Sequence, residues 1–319
     1  MSAVTEPEET FAPPASFDHP ALFYGGPGEY LGATVPFVRE GLAAGEPVAV
    51  AVPGENLALL RDALEDAADA VLLLDMRQAG RNPGRIIPGV LRAFADAGPP
   101  GVRVRIIGEP IWAGRTPTEY PACVQHEALI NAAFEGRDAT VLCPYDVSRL
   151  DERALTDALA THPTVIRSGT EEPSGAYDPD GVVARYNRPL PPPLPGALDF
   201  AFDAASLSRT RHTATAEAAR LGLGGTRLDD LALVTAELAT NSVLHGGGSG
   251  RIRLWAENGH VVCEVRDRGR LTDPLAGRRP VPRDQRGGRG LLLVNLVTDL
   301  VRLHTGADGT TVRCWFARG

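Results

Sequence analysis

Five prolines stand within the seven residues from Pro189 to Pro195. Each fixes φ and removes a backbone donor, so neither a helix nor a central strand passes through this run. With the residues before it from Ser168, the stretch SGTEEPSGAYDPDGVVARYNRPLPPPLPG reads as a linker with a stiff polyproline end. It divides the chain into a tail (1–16), a first domain (17–167), the linker (168–196) and a second domain (197–319). A length of 319 residues, 43% hydrophobic and 23% charged, supplies two ordinary cores.

Charge and cysteine usage narrow the classes. The net charge of -8, with no basic block, argues against direct nucleic-acid binding. Cys123, Cys143, Cys263 and Cys314 show no CxxC spacing and read as reduced, buried thiols of a cytoplasmic protein. The opening MSAVTEPEETFAPPAS is acidic and proline-rich, the composition of a disordered tail rather than a signal peptide. No apolar run approaches the roughly 20 residues of a membrane span.

The first half alternates apolar runs with amphipathic stretches. Strands are predicted at 22–24, 48–52, 71–75, 102–107 and 140–143, and helices at 29–44, 55–68, 84–97, 118–134 and 148–159. That alternation predicts an α/β domain with a mostly parallel sheet covered on both faces. GGPGEY (Gly25 to Tyr30) follows the first strand where a phosphate loop would lie. It lacks the lysine and hydroxyl of such a loop, so no nucleotide site is expected in this half.

Four segments carry a resemblance: HPALFYGGPGEYLGATVPFVREGL (His19 to Leu42), RIIGEPIW (Arg105 to Trp112), EYPACVQHEALIN (Glu119 to Asn131) and LCPYD (Leu142 to Asp146). They resemble the MEDS sensory domain, a RecA-like relative without ATP chemistry. The resemblance implies a sensor of small organic compounds, with His19, Tyr24, Glu109, Trp112, Glu119, His126 and Glu127 lining the ligand site. Glu119, His126 and Glu127 fall at helical spacing and equally well cap or solvate a helix.

The second half opens with a strand at 198–202 and a helix over 204–221, stopped by Gly222-Leu223-Gly224-Gly225. Thr226 is placed to cap the next helix, 227–244, with Asp229 completing a short capping box. On that helix Leu231, Val234 and Leu238 form an apolar stripe, and Glu237, Asn241 and His245 follow its edge at i, i+4, i+8. Polar groups on a half-buried face need partners, and a metal–phosphate group is one such partner. An alternating strand, VVCEVRDRG, then ends in Asp267-Arg268-Gly269, where an aspartate can accept from an exocyclic amine and a glycine lets a base approach. RLTDPLAGRRPVPRDQR (Arg270 to Arg286) shows no apolar periodicity and reads as a mobile lid. Gly287-Gly288-Arg289-Gly290 then runs into LLLVNLVTDLV, a glycine turn opening a helix, where free amides bind anions. GTTVRCWF closes the domain as a strand.

The order Glu-x-x-x-Asn, Asp-x-Gly, lid, Gly-x-Gly, Gly-Thr resembles the GHKL ATPases, α+β two-layer (Bergerat) sandwiches. Within them, the short domain and GGRGLLLV are similar to the bacterial anti-sigma-factor serine kinases. The resemblance covers 197–319 and implies ATP and Mg2+ as cofactors. Carried over by position, Glu237 is the general base, Asn241 the magnesium ligand and Asp267 the adenine contact. Gly269, Gly288 and Gly290 shape the pocket, Arg286 faces the terminal phosphate, and Thr310 supports the base. Implied partners are an anti-anti-sigma (STAS) protein and a sigma factor, and such domains form homodimers. One departure stands out: Arg270 follows Gly269, and the second glycine of that family's Asp-x-Gly-x-Gly is missing.

Two other readings stay open. A sensor histidine kinase needs a phosphoacceptor histidine on a two-helix bundle, and only His212 lies near the boundary. A non-catalytic ATP-dependent sigma-binding module would transfer nothing.

Overall fold

The computed structural model describes residues 16–281 and 288–318. The expected tail falls almost wholly outside them. In the first half the elements run β1 (Phe17–Asp18), β2 (Pro20–Tyr24), α1 (Pro27–Ala43), β3 (Val48–Val52), α2 (Gly54–Leu64), β4 (Leu72–Asp75) and α3 (Met76–Ala79). They continue with α4 (Arg92–Ala97), β5 (Val104–Gly108), α5 (Tyr120–Ala133), β6 (Ala139–Asp146), α6 (Glu152–Thr161), β7 (Thr164–Arg167), β8 (Thr170–Pro173) and α7 (Pro179–Tyr186). The strands form one sheet in the order β4-β3-β5-β6-β2-β7-β8, with β1 alongside β6. Every pairing is parallel except β7 with β8. β3 shows why: its sequence VAVAV is buried at all five positions, as a strand covered on both faces must be.

The linker is shorter than the sequence suggests. β8 pairs with β7 and α7 packs Val182 and Tyr186 into the first core, so residues up to Tyr186 belong to the first unit. Asp178 caps α7 by accepting from the Gly181 amide at 3.0 Å, with Pro179 in its first turn. Even the polyproline run is anchored, because Arg313 Nη2 donates to the Pro191 carbonyl at 2.5 Å.

In the second half β9 (Leu198–Asp203), α8 (Leu207–Arg220), α9 (Thr226–His245), β10 (Ser249–Glu257), β11 (His260–Asp267), α10 (Gly290–Val297), β12 (Leu300–Gly306) and β13 (Gly309–Ala317) follow. Their five-stranded sheet is antiparallel throughout, in the order β12-β13-β11-β10-β9. α8, α9 and α10 join its apolar face in one core through Ala214, Ala218, Leu231, Val234, Leu238 and Val294. Thr226 does not cap α9. It is the first helical residue, preceded by Gly225 at φ 54°, and no side chain caps that end.

The two units share a buried boundary. Ala122 of α5 packs with Trp255, Val262, Leu300 and Trp315 on the other face of the second sheet. Fully buried Asn82 donates to the Asn295 carbonyl at 2.8 Å and to Thr298 Oγ1 at 3.1 Å, and its Oδ1 accepts from the Val301 amide at 3.3 Å. The C-terminal end of α10 is thereby satisfied by a side chain of the first unit. The described part of the expected lid is also docked: Leu275, 1% exposed, belongs to the first unit's core. One leucine amid polar residues anchors that loop without any periodic pattern to announce it. Among the described residues, no helix is long and apolar enough to cross a membrane.

Candidate functional site

A cavity of about 670 Å³ opens between α9, the ends of β11 and β13, and the start of α10. Its size suits a drug-sized or nucleotide-sized ligand. Leu238, Val265, Leu303 and Val312 supply apolar walls, and Asn241, Asp267, Gly269, Gly288, Gly290 and Thr310 all line it. Six residues drawn from four sequence motifs thus reach one space.

Asp267 stands at the end of β11 with its carboxylate held in place. Oδ2 accepts from Ser242 Oγ at 2.6 Å and Oδ1 from the Gly269 amide at 2.8 Å. Thr310 reaches the same loop, donating to the Gly269 carbonyl at 2.8 Å and pairing with Thr305 Oγ1 at 2.9 Å. Gly246, just after α9, is required by close approach: a Cβ there would lie 2.4 Å from Asp267 Cγ. Ser242 and Gly246 escaped the sequence reading. The signal for Ser242 was its place directly after Asn241, but its bond to Asp267 spans 25 residues.

At the other end, Glu237 and Asn241 lie one turn apart on α9, both half-buried. Gly290, the first residue of α10, sits against them: a Cβ on it would lie 2.7 Å from Glu237 Oε2 and 3.3 Å from Asn241 Nδ2. Glu237 does not line the cavity, and its carboxylate meets α10 instead. Gly288, at φ 78°, takes a backbone conformation that suits glycine. His245 is exposed on the cavity rim. Arg286 and Gly287 lie outside the described residues.

The residues expected to line a sensory site are not brought to one place. Tyr24, Glu109 and Trp112 line a cleft of about 30 Å³, room for roughly one water. There Asn56 Nδ2 donates to Glu109 Oε2 at 2.8 Å and to the Tyr24 hydroxyl at 3.0 Å. Burial pushes the Glu109 carboxyl up to about 8. The Arg115 guanidinium covers the Trp112 ring at 3.9 Å. Glu119 holds the turn before α5, accepting from the Thr116 amide at 2.9 Å and from Arg115 at 3.2 Å. His19, His126 and Glu127 are buried in the interior, away from that cleft.

A second cavity, about 500 Å³, lies between the units, lined by Ala128, Leu129 and Val183 on one side and by Leu271, Leu291 and Val301 on the other. Residues 270–273 and Ala276 line both cavities.

Residues 18–163 match the family described as MEDS, the methanogen/methylotroph, DcmR sensory domain. Residues 200–316 match the histidine kinase-like ATPase domain. The chain is a MEDS domain joined to a histidine kinase-like ATPase domain. It is also similar to the transcriptional repressor DcmR of Methylorubrum extorquens, at 28% identity over 156 residues. That similarity covers 46% of this chain and 59% of the repressor, so the chain matches less than two thirds of that relative's length.

Proposed function

We propose that the protein is an ATP-dependent serine kinase of the anti-sigma-factor type, governed by its MEDS domain. In this reading the first domain is a RecA-like relative that senses a small organic molecule, and the second is a GHKL sandwich. The observation that supports it most is the polarity of the large cavity. One end holds an aspartate fixed by Ser242 and Gly269, suited to an adenine amine. The other end holds Asn241 and Gly290, where α10 opens, with the Glu237 carboxylate just outside the cavity against Gly290.

Phosphoryl transfer asks for positioning and charge neutralisation more than covalent chemistry. The Asn241 amide oxygen would hold Mg2+, which neutralises phosphate charge when bound. Backbone amides of the turn at Gly288–Gly290 would cradle the phosphates. Glu237 takes the proton of an acceptor serine as its oxygen attacks phosphorus and ADP leaves. Gly290 lies against Glu237, so the start of α10 borders the base. The acceptor is a serine of an anti-anti-sigma (STAS) protein, the competing partner is a sigma factor, and the working unit is a cytoplasmic homodimer. The sensed molecule fits the interdomain cavity, which has the volume that the cleft beside Tyr24 lacks.

A histidine kinase is less well supported. His212 is exposed on α8, whose Ala214 and Ala218 pack inside the ATPase core rather than in a separate bundle. The test is incubation with labelled ATP, Mg2+ and anti-anti-sigma candidates, beside Glu237→Ala. Acid-stable label on the partner, lost in the variant, is expected. Acid-labile label on the protein itself overturns the serine-kinase reading, and nucleotide binding without transfer leaves a binding module.

A further inference from the structure

Four side chains converge in the interior of the MEDS domain, well separated in sequence. His19 comes from the turn between β1 and β2, Glu127 from α5, Cys143 from β6 and His162 from the junction of α6 and β7. All four are at most 1% exposed. One ligand atom from each lies within 4.8 Å of every other. His162 Nε2 is 3.1 Å from Glu127 Oε2, Cys143 Sγ is 3.4 Å from His19 Nε2, and His19 Nε2 is 3.6 Å from Glu127 Oε2. A zinc tetrahedron with bonds of about 2.0–2.3 Å has edges of about 3.3–3.8 Å.

We propose that His19, Glu127, Cys143 and His162 form a closed, structural zinc site.

The hydrogen bonds around the cluster favour this over a buried ion pair. Both Glu127 oxygens and His162 Nε2 are buried and make no hydrogen bond, despite the 3.1 Å approach. Unbonded polar atoms at 0% exposure are costly, and a shared cation removes that cost. The far nitrogens are already engaged. His19 Nδ1 meets Asn131 Oδ1 at 3.1 Å, and His162 Nδ1 meets the Ala158 carbonyl at 2.9 Å. A carbonyl-type acceptor at Nδ1 assigns the proton there and leaves the Nε2 lone pair facing inward, the outer-shell arrangement of metal-bound histidines.

Charge balances as well. One carboxylate, one thiolate and two neutral imidazoles carry two negative charges, which a zinc dication cancels. A bound zinc removes the Cys143 thiol proton outright, which supplies the thiolate. Mixed imidazole, thiolate and carboxylate donors in a tetrahedral set suit zinc better than calcium or magnesium. Four protein ligands leave no open position, so the role is structural: it ties α5 to β6 and to the turns flanking β2 and β7.

The test uses the full-length protein purified without chelator. Mass spectrometric elemental analysis is expected to find about one zinc per chain. Exchange with Co2+ is expected to give the visible bands of tetrahedral cobalt and a thiolate-to-cobalt charge-transfer band. Cys143→Ser should lose the charge-transfer band, and Glu127→Gln should lower zinc content several-fold. The wild-type cobalt spectrum reports sulfur ligation by itself, so the test stands even if a variant fails to fold. Folded protein that takes up neither zinc nor cobalt overturns the proposal. So does a different metal at one per chain, or a cobalt spectrum unchanged by Cys143→Ser.

Discussion

Asn82→Ala tests the boundary between the two units most directly. Asn82 makes three bonds across it, to the Asn295 carbonyl, Thr298 Oγ1 and the Val301 amide, and a local one from the Gly84 amide at 3.1 Å. A typical intramolecular hydrogen bond contributes about 0.5–1.5 kcal/mol net, so the three cross-boundary bonds represent roughly 2–4 kcal/mol. Alanine fills none of these roles and leaves the partners in a buried place. The loss should fall on the docking of the units rather than on either core. Urea unfolding followed by tryptophan fluorescence is a suitable assay, because Trp255 and Trp315 are buried in the cluster that receives Ala122 of α5. The expected result is a transition about 2–4 kcal/mol less stable, with a second phase as the units unfold separately. A single transition within about 0.5 kcal/mol of wild type would refute the reasoning, since it would mean that Asn82 is not buried between the units.

Gly246→Ala places a methyl 2.4 Å from Asp267 Cγ, so the aspartate must move. ATP affinity measured by isothermal titration should drop at least about tenfold, roughly 1.4 kcal/mol, with little change in the fold by circular dichroism. Glu109 gives a pH signature. Its folded value near 8 lies above the ordinary carboxylate range, so its contribution to stability is complete below about pH 4.5 and is lost as pH rises through 8. Stability of the wild type should therefore decline between pH 5 and 8 relative to Glu109→Gln, in which that slope disappears; equal slopes in urea titrations would count against the buried, protonated carboxyl.

Strand–helix alternation in the first half was legible because parallel strands buried on both faces read as unbroken apolar runs, VAVAV above all. The motifs around Asn241, Asp267 and Gly290 were legible because helix periodicity and glycine turns act locally, and they meet in one cavity. β8 and α7 were not legible: TEEP is exposed at every position, and the helix that follows buries only Val182 and Tyr186. Nor could local pattern show that Leu275 enters the first core, since one side chain has no period. The cluster of His19, Glu127, Cys143 and His162 was hidden for the same reason. Its members come from four elements, and no ligand spacing links them along the chain.

Residues 270–273 and Ala276 line both cavities. Molecules filling the two would each lie against the same short piece of chain. If an occupant of one cavity prefers one position of that segment, an occupant of the other feels the preference as a change in its own affinity. Thermodynamic linkage makes the change equal in both directions. A molecule that weakens nucleotide binding by a given factor is weakened by nucleotide by the same factor. The second glycine missing from Asp-x-Gly-x-Gly, at the position Leu271 fills, therefore falls on the piece of chain that lines both cavities.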